Sequence, residues 1–378
     1  MERYIKTNVI KDLIKKMVFV GGPRQVGKTH FAKEILRSHR SPEEFSGKHY
    51  LNWDDTHDRE LIIAQNLPAE PGLLVLDEIH KYKKWRDLLK GLFDKRREEL
   101  RILVTGSAQL DYYRKGGDSL QGRYHYYRMH PLSLKELAAE KSSDLVALLT
   151  YGGFPEPFYA ASEVETRRWS REYRSRIIRD ELRDLERIHD ISLIEELAHR
   201  LPELVGSPLS LNSLREDLQV SHQTVVRWML ALERLYHIFR VYPFGATHIR
   251  AVKKEAKHYH YDWTQIKDEG LRFENLVACH LLKWCHFQED TQGLEMELRY
   301  FRDTDKREVD FVILQERKPI LFVEGKLSAQ DVSSHLLYLV RKFPTVPAFQ
   351  IHLHGNKDVK TPEGIRLQPA FQFLRELV

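Results

Sequence analysis

The stretch VFVGGPRQVGKTHF, Val18 to Phe31, restricts this chain more than any other feature of it. Met17 to Val20 is an apolar, β-branched run that predicts a short buried strand, and the glycine-bounded loop after it enters a helix at Lys28-Thr29. Strand, loop and amphipathic helix in that order are the context that G-x-x-x-x-G-K-[ST] requires. Gly22 and Gly27 let main-chain N–H groups turn inward at a helix N-terminus, where the dipole already favours negative charge. Gly22, Pro23, Arg24, Gln25, Val26, Gly27, Lys28, Thr29 and His30 therefore form the candidate phosphate cradle, Lys28 reaching the β- and γ-phosphates and Thr29 holding Mg²⁺. The competing reading is a glycine-rich turn that binds nothing.

Downstream, His49 to Asp55 reads as a second strand. Leu73-Leu-Val-Leu-Asp77-Glu78 delivers two carboxylates to the end of a third. A carboxylate there can serve Mg²⁺ and the next can polarise a water for in-line attack, so Asp77 is assigned to the metal and Glu78 to the water. A helix from about Trp85 to Arg97 precedes the strand Arg101 to Ser107, whose end would lie beside the γ-phosphate in a parallel sheet. Thr105 or Ser107 is the candidate sensor of that phosphate. An extra strand between the two motif-bearing strands is the mark of the additional-strand class of phosphate-loop ATPases.

The chain has 378 residues, too many for one ordinary core, so two or three domains are expected. Hydrophobic residues at 42% beside 30% charged ones exclude a disordered chain. No apolar run reaches the ~20 residues of a membrane span, and the N-terminal sequence lacks the apolar core of a signal peptide. Cys279 and Cys285 give no disulfide framework, and a cytoplasmic location is expected. The net charge of +5 permits a nucleic-acid partner without demanding one.

The segments GPRQVGKT, LLVLDEIHKYKKW, ILVTGSAQL, LQGRYHYYRMHPLSLKEL and YGGFPEP follow one another in an order and spacing that resemble a family of prokaryotic AAA-type ATPases. In that family the ATPase precedes winged-helix and restriction-endonuclease-like regions, and the resemblance covers nearly the whole chain. It implies ATP and Mg²⁺ as cofactors. His80 stands where the family more often has Gln, and His30 where a second Thr is common. The resemblance also makes Arg123 a fixed feature, which could act on a neighbouring copy's γ-phosphate as an arginine finger. The plain alternative is a surface arginine paired with an acid. A homo-oligomer is among the expected partners.

Tyr151-Gly-Gly-Phe-Pro-Glu-Pro breaks the helical pattern. Glu163 to Asp190 is an arginine-dense helical segment, read as a salt-bridged solvated face, the alternative being a lid helix that brings Arg176 or Arg179 towards nucleotide or DNA. Leu193 to Leu201, Leu211 to Leu218 and a third helix capped by Ser221 have helix-turn-helix spacing, with wing strands at Tyr236 to Tyr242 and Lys257 to Tyr261. Docked as DNA-binding modules dock, this unit would turn His222, Gln223, Thr224 and Arg227 to the major groove. Such modules also serve as protein contacts. His258, His260 and Asp262 suggest a metal, but a half-exposed wing strand is the preferred reading.

A helix from Gly270 to about Trp284 is followed by strands at Leu298 to Arg302, Glu308 to Leu314 and Ile320 to Leu327. Asp310 followed by Glu324-Gly325-Lys326 resembles the PD-(D/E)xK nuclease core. Glu324 and Lys326 share one strand face; Asp310 and Glu324 would hold Mg²⁺, Glu274 could contribute from the helix, and Lys326 would position the attacking water. The bland alternative is a nuclease fold that binds without cutting, its strand loosened by Gly325.

The expected fold is α/β: a three-layer phosphate-loop ATPase core (1–150), a helical connector (151–190), a winged helix (191–265) and an α/β restriction-endonuclease-like domain (266–378). The expected function is an ATP-hydrolysing, DNA-processing enzyme with Mg²⁺-dependent cleavage. The alternative is an ATP-driven DNA-binding or signalling switch.

Overall fold

A computed structural model describes residues 1–38, 47–106, 120–182, 191–245 and 255–378, which fall into two compact units, Met1–His130 and Pro131–Val378. In the first unit the described elements are α1 (Lys6–Leu13), β1 (Met17–Gly21), α2 (Lys28–Ser38), β2 (Gly47–Asn52), α3 (Thr56–Ile63), β3 (Gly72–Asp77), α4 (Trp85–Arg96), β4 (Leu100–Thr105) and β5 (Tyr124–Arg128). The five strands are parallel in the order β2-β3-β4-β1-β5. Thus β4 lies between the strand that feeds the phosphate loop and the strand that ends in Asp77. Every residue of β1 and β3 is buried, which is why both read as unbroken apolar runs. Burying each such side chain contributes about 1.5–3 kcal/mol. Two glycines fix how the loop leaves the sheet: a Cβ on Gly21 would strike the Tyr126 hydroxyl, and one on Gly22 would lie 2.2 Å from the Met129 carbonyl oxygen.

The second unit opens with α5 (Ser142–Tyr151), α6 (Pro155–Ala160) and α7 (Glu163–Arg176), which runs into a π-type turn over Ile177–Glu181. Phe154, Trp169 and Tyr173 stack within 5 Å of one another and anchor α7 to the segment before it. Then come α8 (Ile191–Arg200), α9 (Leu211–Asp217), α10 (His222–Arg234), β6 (Ile238–Pro243) and β7 (Lys257–His260). The last part comprises α11 (Glu269–Gln292), β8 (Met296–Arg302), β9 (Glu308–Gln315), β10 (Lys318–Ser328), α12 (Ser334–Lys342), β11 (Ala348–His354), β12 (Val359–Lys360), β13 (Arg366–Pro369) and α13 (Ala370–Leu374).

Four features depart from the sequence reading. The compact units divide at 130/131 because residues after Pro131 are pinned to α11: the buried Lys283 ammonium donates to the Pro131 carbonyl at 3.0 Å, to the Ser133 hydroxyl and to Glu136. The strands read as wings are not a separate pair: β6 pairs antiparallel with β7 and parallel with β8, giving one eight-stranded sheet, β12-β13-β11-β10-β9-β8-β6-β7. The helix expected to end near Trp284 continues to Gln292, where Gly293 at φ 70° terminates it. Gly325 does not loosen its strand: β10 runs through it, and its N–H donates to Asp310 at 2.9 Å.

Among the described residues no helix is long and apolar enough to cross a membrane.

Candidate functional site

The phosphate loop joins β1 to α2 with Gly22 at φ 138°, Gln25 at φ 60° and Gly27 at φ 100°. These positive-φ positions turn successive amides towards one concavity. Lys28 is buried, and its ammonium donates to the carbonyls of Gly22 at 2.9 Å and Pro23 at 2.6 Å. Val26 is buried, His30 is exposed, and the side-chain oxygen Oε1 of Gln25 is buried in the loop with no hydrogen-bond partner. A cationic end and inward amides suit a polyanionic nucleotide.

Asp77, at the end of β3, is held on three sides. Its Oδ2 accepts from the Thr29 hydroxyl at 2.7 Å and from the Tyr50 hydroxyl at 2.8 Å, and its Oδ1 accepts from Thr105. Burial and Asp77 push the Tyr50 phenol upward, so it remains a donor at neutral pH. Thr105 pairs with Asp77 across β3 and β4, so the parallel register itself brings the candidate sensor to the acid. The other candidate, Ser107, lies outside the described residues. The hydroxyl of Thr29 and the carboxylate of Asp77 are hard oxygen donors, the kind that suits Mg²⁺ shared with phosphate oxygens.

Glu78 sits at φ 56°, a left-handed conformation rare for a non-glycine residue, and its carboxylate lies 3.5 Å from the Lys81 ammonium. Burial raises its carboxyl, opposed by the nearby Lys28 and Lys81 ammonium groups. His80 is buried with Nε2 at 3.7 Å from Glu78, and burial drives its imidazole down to about 3, so the ring is neutral.

Sequence reasoning missed Arg3 and Tyr50. Arg3 is buried and donates to the Val26 carbonyl inside the phosphate loop at 2.7 Å and to the His130 carbonyl. Nothing in the local sequence marks it, because its partners are distant in the chain. Arg123 forms a surface pair with Asp94 at 2.8 Å. Arg176 pairs with Glu172 at 3.6 Å and Arg179 with Glu195 at 2.6 Å.

In the second unit, Ser221 caps α10 by accepting from the Thr224 N–H at 3.1 Å. His222, Gln223 and Arg227 are exposed and line a shallow groove with Val226, Leu230 and Arg234. Thr224 does not join them; it is half-buried and its hydroxyl bonds Ser221 at 2.8 Å. The half-exposed reading of His258, His260 and Asp262 is also corrected. All three are buried, because β7 is covered by the turn at Leu201–Leu204 and by α11. His258 Nε2 meets the Leu201 carbonyl at 2.8 Å, and Asp262 accepts from Ser170.

The C-terminal acids converge on β9 and β10. Phe311 pairs with Val323, which sets Asp310 opposite Glu324, and the Asp310 N–H approaches Glu324 at 3.4 Å. Lys326 bonds Glu324 at 2.7 Å. Burial, then the Asp310 charge, push the Glu324 carboxyl up to about 8. Glu274 faces Asp310, whose charge adds to burial in raising its carboxyl, and its Oε1 accepts from Tyr259 at 2.6 Å and from the buried Lys257 at 3.3 Å, while Lys257 reaches Glu308 at 2.7 Å. Among the described residues no group of three His, Cys, Asp or Glu side chains is gathered as a metal site.

Residues 14–138 match the family model described as an AAA domain, and residues 142–264 and 269–371 match two domains of unknown function. Uncharacterized proteins of Mycobacterium tuberculosis and Mycobacterium bovis are each 25% identical over 256 residues, 68% of this chain and 55% of theirs. The chain therefore spans about half the length of these curated relatives. An uncharacterized protein of Methanocaldococcus jannaschii is 23% identical over 383 aligned residues, 84% of this chain and 77% of its own. Among solved structures, the Aeropyrum pernix ORC1 protein in complex with DNA is similar with a TM-score of 0.35 and 14% identity, over 74% of this chain and 93% of that one. The AAA match over residues 14–138, the parallel sheet and the phosphate loop together fit a phosphate-loop ATPase core.

Proposed function

We propose that the amino-terminal unit hydrolyses Mg–ATP and that its nucleotide state governs how the rest of the chain handles DNA. The observation that carries the ATPase reading is the meeting of three elements at one carboxylate: Thr29 from α2, Thr105 from β4 and Asp77 itself from β3. Lys28 exchanges its two carbonyl partners for phosphate oxygens, and the loop amides orient the triphosphate. Thr29 and Asp77 are the residues that would hold Mg²⁺, which neutralises charge on the phosphates. Glu78, next after Asp77, polarises the attacking water. Lys28→Ala should lose most nucleotide affinity, and Glu78→Gln should bind ATP without turning it over. Wild-type protein that takes up no Mg–ATP in calorimetry, or a Glu78→Gln variant at the wild-type rate, would refute this reading.

The exposed His222, Gln223 and Arg227 on a Ser-capped helix support a winged-helix DNA contact. Arg123 is the candidate finger towards a second copy. For the C-terminal region, the opposed Asp310 and Glu324 with Lys326 on the same strand face favour Mg²⁺-dependent phosphodiester cleavage in a nuclease-like fold. Asp310 and Glu324 would hold the metal and Lys326 would position the water. A Mg²⁺ or Mn²⁺ cleavage assay on single-stranded, duplex and branched DNA separates an enzyme from a switch. Cleavage lost in Lys326→Ala supports the enzyme; no cleavage, or equal nicking by both proteins, supports the switch.

A further inference from the structure

Tyr50 lies on β2, outside both nucleotide motifs, yet its hydroxyl reaches the same oxygen of Asp77 that accepts from Thr29. One turn beyond Thr29 on α2, the Lys33 ammonium stands over the Tyr50 ring at 4.6 Å from its centroid. The phosphate-loop helix therefore grips the acid twice, directly through Thr29 and indirectly through Lys33 and Tyr50. An ionised carboxylate has about four lone-pair directions. Three hydroxyls take three of them and fix the rotation of the group, so one direction remains for a cation or its water.

We propose that Tyr50 is a positioning residue that orients Asp77 towards the nucleotide's divalent cation. The inference rests on the ATPase reading above and adds to it the residue that sets the cation requirement. Removing only the Tyr50 hydroxyl leaves the ring, the Lys33 contact and the loop amides in place, but takes away one of the three holds on the carboxylate. Outer partners of metal-ligating groups typically change metal affinity about 10- to 100-fold. Because Thr29 and Thr105 still hold Asp77, the low end applies.

The test compares full-length wild type and Tyr50→Phe by titrating a fluorescent ATP analogue in excess EDTA and at increasing MgCl₂. The expected result is an analogue affinity in EDTA within about twofold of wild type and a Mg²⁺ midpoint raised about tenfold. The Mg²⁺ dependence of hydrolysis should move in parallel, with the rate at saturating Mg²⁺ largely recovered. An unmoved Mg²⁺ midpoint overturns the role of Tyr50 while leaving the ATPase reading standing. Weaker binding already in EDTA also overturns it, since the residue would then support the whole pocket and not the cation. Wild-type protein that binds the analogue no better with Mg²⁺ than in EDTA, and hydrolyses nothing, overturns the ATPase reading itself.

Discussion

His237 follows α10 and is buried, and among the described residues neither of its ring nitrogens has a hydrogen-bond partner. Its ring meets His260 edge-on at 5.2 Å, and the charged or titratable groups facing it are Arg174 and His258. Burial first, then Arg174, lower the imidazole from 6.5 to about 3. A depressed base binds fewer protons when folded than when unfolded, so its contribution is intact above the unfolded value and is lost as pH falls below it. Between pH 7 and pH 5 the unfolded ring protonates across about 1.5 units while the folded ring stays neutral, which costs about 2 kcal/mol. His237→Phe removes this titration. His258 and His260 remain in both proteins, so their own acid sensitivity largely cancels in the comparison. Urea unfolding at pH 7 and pH 5 should show wild type losing about 2 kcal/mol more than the variant, a relative midpoint shift of about 1 M. Any packing change from the larger ring adds equally at both pH values. Parallel losses, within about 0.5 kcal/mol, would refute a neutral His237 in the folded state.

Lys257→Met should destabilise the second unit by about 3–5 kcal/mol, because Glu274 and Glu308 would lose the buried ammonium that compensates and bonds them; thermal melting should fall by about 10 °C. Arg3→Ala should weaken ATP binding about tenfold by releasing the Val26 carbonyl and with it the loop, while circular dichroism stays unchanged. Arg123→Ala should abolish hydrolysis with nucleotide binding intact; unchanged turnover at high protein concentration would leave only the pair with Asp94.

The nucleotide site was legible because its elements are local. A buried run, a glycine loop and a following Lys-Thr are consecutive, and Asp77-Glu78 closes another short buried run, so period and spacing alone locate them. Tyr50 and Arg3 were not legible, since each acquires its role from a partner brought near only by the parallel sheet. The same holds for Lys257, whose carboxylates come from α11 and β9. On β7 the alternation of His258, Tyr259 and His260 imitates a half-exposed strand; coverage of both faces is a tertiary fact that a single strand cannot disclose. The true end of α11 did carry a signal, Gly293 after a polar turn, which outweighs the apolar stretch that stops near Trp284. The stretch from Ser334 onward, with α12 and β11 to β13, offers short strands and no motif, and its order follows from pairing across sequence distance.

The joint near residue 265 has a practical meaning for anyone who would dissect this protein. A fragment starting there would leave β8 with a bare flank of amides and carbonyls where β6 had lain, an invitation to self-association. It would also strip Glu274 of the ammonium and phenol that reach it from β7. The strand that follows α10 and the strands that carry the carboxyl-terminal acids belong to one sheet, so neither half is left whole by a cut between them.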